Sequence, residues 1–279
     1  MIFSVEEFAV FDGEGIRINV FFKGCPLRCR WCHNPEGWLP KRQIVRSPAG
    51  CTNCGMCRTV CPSPRQCIAC GACISVCPNH VLRFSGAVWN TEKLSERILR
   101  FAPILRASGG GVTFSGGEVL MQNGFLCELL DKTEALHRAI ETSGYAPSEV
   151  FERVLARTDF VFYDLKLMDD ARHRMFTGAG NAQILQNARI LMNSGVPHIF
   201  RVPLIRGVNT DDENLRRLDH FLAQAPERQT VEFLSYNRMA GAKYKMLGWK
   251  YPHHFEPPDA ADLNCVRRLV QSAELQFSR

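Results

Sequence analysis

The chain has 279 residues, 46% of them hydrophobic, enough to bury the core of one large α/β domain with a small insertion and too apolar for disorder. Its formal charge of +6 comes with no Lys/Arg run interleaved with aromatics, so nucleic-acid binding has no electrostatic support. No stretch approaches the ~20 apolar residues of a membrane span, and Glu6, Glu7, Asp12 and Glu14 stand where a signal peptide would be basic and then apolar, so a cytoplasmic protein with no membrane partner is expected.

Short β-type runs alternate with helical patterns, which argues for a parallel sheet. Strands are predicted at 16–22, 111–115, 136–141, 160–165, 198–203 and 229–234. Apolar residues at helical spacing follow each, from Leu94, Ile98, Leu99 and Leu105 to Leu263, Val266, Leu269 and Val270. Six such units are too few for a closed eight-stranded barrel. The predicted fold is therefore α/β, a partial (β/α)6 TIM-type barrel formed by residues 1–44 and 85–279, with a small inserted domain at 45–84. That insertion lies between the first strand and its helix, at the C-terminal rim where parallel sheets place their chemistry.

Eleven of the 13 cysteines fall between Cys25 and Cys77. In a reducing compartment, clustered Cys-x-x-Cys spacing points to metal and not to disulfides. Cys127 and Cys265 sit in amphipathic helix patterns and are expected to pack in the core. Directly after the first strand comes Cys25-Pro-Leu-Arg-Cys29-Arg-Trp-Cys32. Three thiolates on one loop would hold three irons of a [4Fe–4S] cubane and leave the fourth iron open, hence catalytic. A zinc site completed by His33 is the bland alternative.

Two copies of Cys-x2-Cys-x2-Cys-x3-Cys-Pro follow, the pattern of two-cluster ferredoxins, in which the fourth cysteine of each run ligates the other cluster. On that pattern Cys51, Cys54, Cys57 and Cys77 hold one auxiliary cluster, and Cys61, Cys67, Cys70 and Cys73 the other. Gly55 and Gly71 let the backbone fold tightly around each. Only five residues, Pro62 to Gln66, join the runs, a departure from the usual pattern that bears on the complete ferredoxin hairpin and not on the clusters. Three clusters with eleven thiolates would bring the net charge to about +1.

The runs Asp12-Gly13-Glu14-Gly15-Ile16-Arg17, Phe22-Lys23-Gly24-Cys25 and Arg30-Trp31-Cys32-His33-Asn34-Pro35-Glu36 resemble the N-terminus of the glycyl-radical-enzyme activating enzymes, pyruvate formate-lyase activator-like members of the radical S-adenosylmethionine superfamily. The resemblance covers nearly the whole chain, with Glu14 and Val119 replacing common prolines. It implies that Trp31, Cys32, His33 and Asn34 lie against S-adenosylmethionine. Ser115-Gly116-Gly117-Glu118 would hold its amino group, the two glycines letting backbone approach a ligand. Asp164, Leu165 and Lys166 would contact its carboxylate or ribose, with Arg201 and Asn237 nearby, Asn237 standing where relatives often carry histidine. Similarity to the pyruvate formate-lyase activator adds a monovalent cation held by Glu141, Thr142 and Asp164; a rim hydrogen-bond network is the alternative.

The resemblance also implies a reaction. S-adenosylmethionine chelates the open iron, an electron breaks its sulfonium bond, and the resulting 5′-deoxyadenosyl radical takes a hydrogen from a backbone glycine of a partner glycyl radical enzyme. No protein residue beyond the cluster ligands would be catalytic. The auxiliary clusters would relay electrons from a flavodoxin- or ferredoxin-type donor or serve as a docking element. The rivals are a radical enzyme acting on another peptide or small molecule, and a ferredoxin-like electron carrier.

Overall fold

The structure, a computed structural model, describes residues 1–251 and 253–278. In chain order its elements are β1 (Ile2–Ala9), β2 (Arg17–Phe22), β3 (Gln43–Arg46), α1 (Met56–Thr59), α2 (Ala72–Ser75), β4 (Leu82–Ser85), α3 (Thr91–Leu99), α4 (Ala102–Ala107), β5 (Gly111–Gly116) and α5 (Asn123–Lys132). They continue with β6 (His137–Thr142), α6 (Ser148–Leu155), β7 (Phe160–Asp164), α7 (Asp170–Thr177), α8 (Ala182–Met192), β8 (His198–Leu204), α9 (Asp212–Leu222), β9 (Gln229–Ser235), α10 (Ala240–Met246), α11 (Ala260–Leu269) and β10 (Ala273–Ser278).

All six expected strands form, as β2 and β5 to β9, but the main sheet has eight, in the order β1-β2-β5-β6-β7-β8-β9-β10. Every neighbour from β2 to β10 is parallel. The count of six units is corrected at both edges. β10 adds a seventh parallel strand, and β1 pairs antiparallel with β2 through two register shifts, with Phe8 at φ 62°. Edge strands bury little and so leave weak sequence signals. The linear order keeps the barrel open between β1 and β10.

The strands alternate strictly. Ile18, Val20, Val112, Phe114, Ile140, Val161, Tyr163, Phe200, Val202, Val231 and Phe233 face the helices and form the main core with residues such as Leu94, Ile98, Leu129, Phe151, Val154, Leu215 and Leu218. Cys127 and Cys265 pack at the margin of this core. The opposite parity lines the concave face and mixes the polar residues Arg17, Asn19, Thr113, Ser115, Glu141, Arg201 and Glu232 with apolar ones such as Phe162, Ile199 and Leu234. Buried Arg17 ties β2 to β5, donating from Nε to Thr113 Oγ1 at 2.7 Å and from Nη2 to the Val112 carbonyl at 2.7 Å. Aspartates cap the helices that flank the site, with Asp169, Asp211 and Asp259 accepting from backbone N–H groups of α7, α9 and α11. No helix among the described residues is long and apolar enough to cross a membrane.

The cysteine-rich segment is closed at its base by a separate antiparallel ribbon, with Gln43 opposite Ser85 and Arg46 opposite Leu82. The expected limits 45 and 84 fall inside this ribbon. Within it the backbone repeats at a spacing of sixteen residues. Asn53 and Ala69 take φ 56° and 50°, Gly55 and Gly71 take φ 82° and 89°, and each glycine starts a four-residue helix.

The two glycines differ in their surroundings. A Cβ at Gly55 would meet nothing within 4 Å, whereas one at Gly71 would lie 2.7 Å from Phe84 Cζ, a ring on which Arg42 rests at 4.0 Å. Gly55→Ala is expected to cost about 1–2 kcal/mol through its left-handed backbone alone. Gly71→Ala should cost about 0.5–1 kcal/mol more, because Phe84 must leave Arg42. Urea midpoints of anaerobically prepared variants measure this, and in a Phe84→Ala background the two costs should become equal.

Candidate active site

β2 leads straight into the cysteine loop, which is pinned by backbone bonds from Gly24 N to the Gly37 carbonyl (2.7 Å) and from Cys25 N to the Trp38 carbonyl (3.1 Å). The loop after β5 is pressed onto it. Gly117 N bonds the Phe22 carbonyl and Glu118 N the Gly24 carbonyl, each at 2.8 Å. A Cβ at Gly117 would stand 2.4 Å from Gly24 O and 2.7 Å from Gly37 O, and one at Gly116, where φ is 115°, 2.5 Å from Phe22 N. The neighbour that requires these glycines is therefore the backbone around the cysteine loop, not solely a ligand as expected.

Above this junction lies a cavity of about 400 Å³. It is lined by Cys25, Cys29, Cys32, Trp31, His33 and Asn34 from the loop, Gly116 at the end of β5 and Gly117 after it, Glu141 and Thr142 from β6, Asp164 at the end of β7 and Lys166 after it, and Asn237 after β9. The strand ends thus bring together most of the predicted residues. Cys29 is buried. Burial pushes all three thiols up, Cys32 to about 12, so metal ligation here must displace protons. Trp31 packs between Phe176 and Phe255. His33 Nε2 faces the Asn237 carbonyl at 3.1 Å, which places its ring proton on Nε2 and engages it away from the cysteines. The Asn237 side chain accepts from Met239 N at 2.8 Å. Lys166 Nζ pairs with Asp164 Oδ2 at 2.9 Å, and although burial would lower the ammonium, Asp164 and the cysteines hold it above its ordinary value.

Four groups of expected residues have protein partners of their own in the structure. Glu118 does not line the cavity. Its buried carboxylate accepts from Thr142 Oγ1 (2.5 Å), Ser143 Oγ (2.6 Å), Ser143 N (3.0 Å) and Leu120 N (3.2 Å), leaving nothing to offer an ammonium. Leu165 points its side chain into the helix-side core and gives its N–H to the Arg201 carbonyl at 2.8 Å. Arg201 is spent on three carboxylates, Asp12 (3.0 Å), Glu141 (3.0 Å) and Glu232 (2.8 Å), and lies 3.8 Å over the Phe162 ring. It lines a second cavity of about 930 Å³ on the concave face. Glu141, Thr142 and Asp164 share the first cavity, but their oxygens are engaged by Arg201 and Ser115, by Glu118, and by Lys166 respectively. These three side chains are joined to their neighbours in a hydrogen-bond network along the rim.

Sequence reasoning missed Glu232, Asp12 as an ion-pair partner, and Ser115 as the donor to Glu141. Glu232 had a signal: it is the lone acid in Gln-Thr-Val-Glu-Phe-Leu-Ser, on the parity opposite the core residues.

In the insertion, a cavity of about 190 Å³ is lined by Cys51, Cys54, Cys57 and Cys77, together with Arg46 and Arg58. Cysteines of both runs meet there. Burial, and the neighbouring charges of Cys67, Cys57 and Cys61, push the Cys73 thiol up; Cys70 is exposed.

The model of the radical SAM superfamily matches residues 19–218, the span that carries this whole site except the strand-end residues after β9. The chain belongs to the radical SAM superfamily. It is 38% identical to the choline trimethylamine-lyase activating enzyme of Oleidesulfovibrio alaskensis over 100% of this chain and 97% of that one. It is 36% identical to the trans-4-hydroxy-L-proline dehydratase activating enzyme of Clostridioides difficile over 98% and 96%. The crystal structure of a domain of a pyruvate-formate lyase-activating enzyme from Bacteroides vulgatus superposes with a TM-score of 0.51 at 29% identity, covering 61% of this chain and 99% of that one. Within the superfamily the chain therefore groups with the activating enzymes of glycyl radical enzymes. Membership implies a [4Fe–4S] cluster and S-adenosylmethionine. Three cysteine sulfurs on one cavity, with no fourth cysteine lining it, fit such a cluster.

The concave charges of this radical SAM enzyme depend on Arg201. Burial would raise Glu141, but Arg201 holds it below the usual carboxylate range, while Asp12 is raised by burial and by Glu141 despite the same cation. Arg201→Met leaves three carboxylates facing one another and should cost about 3–5 kcal/mol at neutral pH. Without the cation their folded-state pKa values rise, so the folded chain binds protons more readily than the unfolded one, and part of the loss should be recovered as the pH falls through the carboxylate range. Denaturant titrations near pH 5 and pH 8 read this sign.

Proposed function

We propose that this chain activates a partner glycyl radical enzyme by reductive cleavage of S-adenosylmethionine, with 5′-deoxyadenosine leaving once a backbone glycine of the partner has given up a hydrogen atom. The observation that carries the reading is that Cys25, Cys29 and Cys32 reach one cavity of about 400 Å³ that no other cysteine lines. Bound to these three sulfurs, a [4Fe–4S] cluster supplies the electron for the cleavage.

The chain's own residues bind and orient. Lys166, already paired with Asp164, has two N–H groups free of that bond to direct at an anionic carboxylate. The Gly116-Gly117 backbone, Trp31, His33, Asn34 and Asn237 would flank the cofactor. Glu118 is a positioning residue: its carboxylate fixes Thr142 and Ser143, and its N–H fixes Gly24 beside Cys25. The concave cavity of about 930 Å³ shares Glu141 and Leu234 with the cofactor cavity, which supports entry of a polypeptide backbone from the open face of the half-barrel.

We further assign the insertion two auxiliary [4Fe–4S] clusters, on Cys51, Cys54, Cys57 and Cys77 and on Cys61, Cys67, Cys70 and Cys73, in a ferredoxin-like unit inserted in the half-barrel. They would pass electrons from a flavodoxin- or ferredoxin-type donor, in the cytoplasm where thiols stay reduced. The four-cysteine cavity of about 190 Å³ supports this.

Reduced wild-type protein with S-adenosylmethionine should yield 5′-deoxyadenosine. Cys29→Ala should abolish that product while retaining about eight of about twelve irons. Cleavage at an undiminished rate by Cys29→Ala would refute the assignment.

A further inference from the structure

Residues 37–91 contain none of the chain's 28 acidic residues and six of its 34 basic ones, Lys41, Arg42, Arg46, Arg58, Arg65 and Arg83. The remainder of the chain, with 28 of each, is neutral, so the whole formal charge of +6 resides in and beside the insertion. All six side chains are exposed. Among the described residues none of them forms an ion pair, whereas cations of the half-barrel repeatedly do, as in Arg138 with Asp159 and Arg172 with Asp211. Eight thiolates on two 2+ cores would reduce the regional charge to about +2, yet the surface offered to a partner would still carry cations and no carboxylate.

Apolar side chains are interspersed with these charges. Met56, Val60 and Ile68 are exposed, Ile68 by 63%. Arg46 and Arg58 also rim the cavity lined by Cys51, Cys54, Cys57 and Cys77, so the cationic surface lies directly over that cysteine set. Unpaired cations interspersed with exposed apolar side chains fit a protein whose own surface is anionic.

We infer that the outer face of the insertion is the docking surface for a small one-electron carrier protein whose own docking face is rich in carboxylates. Its occupant is set by charge complementarity, and the inference rests on reading the insertion as the point of electron entry. Uncompensated cations attract such a partner at long range, accelerate its encounter and make its binding fall with ionic strength.

Lys41 supplies a built-in reporter, because it is the only lysine between residues 37 and 91. Iron-loaded protein is mixed with an acidic flavodoxin and treated with a carbodiimide, which joins carboxylates to amines without a spacer. A cross-link from Lys41 to a flavodoxin aspartate or glutamate is expected by mass spectrometry. The flavodoxin dissociation constant should weaken about tenfold in Arg58→Gln/Arg65→Gln at low ionic strength, and the wild-type value should weaken towards the variant's at about 200 mM salt. Arg65→Glu, in the exposed linker and lining neither cysteine cavity, should weaken it singly, while Arg100→Gln at the end of α3 should leave it unchanged. Iron content measured on each sample reports separately on the auxiliary clusters: a chain without them that still cross-links at Lys41 defeats that assignment and keeps the docking surface. Unchanged binding in both variants with no Lys41 cross-link would overturn the inference. So would substitution-sensitive binding of a short DNA duplex with flavodoxin binding unaffected, which would make the face a polyanion surface.

Discussion

The site depends on a close approach of two backbones. Gly116 and Gly117 allow the turn after β5 to lie against Phe22, Gly24 and Gly37, and the hydrogen bonds from Gly117 N and Glu118 N then lock the cysteine loop to the neighbouring strand. Any side chain there would meet main-chain atoms, which cannot swing aside. The positions of Cys25, Cys29 and Cys32 relative to the ends of β6 and β7 follow from that contact, because the sheet carries the same alignment onward strand by strand.

A second layer of order is electrostatic. The concave parity of the sheet buries charges that would be costly singly and are tolerated as partners: Arg201 with Asp12, Glu141 and Glu232, and Lys166 with Asp164. Glu141 stands between the two cavities, bonded to Ser115 on one neighbouring strand and to Arg201 through the other. The cofactor cavity and the open face of the half-barrel are thus separated by a residue that belongs to both. The same wall explains why Arg201 cannot also reach the cofactor cavity: its donors are used before they get there.

The parts of this architecture legible in the sequence are those with local signatures. β5 to β9 alternate over five or more residues and each is followed by a helix with an apolar stripe, so their existence and order could be read directly. β1 and β10 could not, since β1 carries adjacent glutamates and an irregular register, and β10 buries little beyond Ala273. Cysteine spacing marked out the two cysteine-lined cavities. What the chain conceals is the partnership of distant residues. Glu118 is consumed by Thr142 and Ser143 on the next strand, and His33 by a carbonyl 204 positions away. A motif gives the residue type at a place, while competition for its hydrogen bonds is decided by tertiary neighbours.

The four-cysteine cavity of the insertion takes three sulfurs from one repeat and the fourth, Cys77, from the other. A cluster held there, as proposed, would staple the start of the segment to its end, closing a long loop whose conformational freedom would be surrendered all at once. The two repeats would then be interlocked and would not act as separable beads. Iron delivery to this region would behave cooperatively, with half-filled chains scarce, and damage to either run would propagate to its twin.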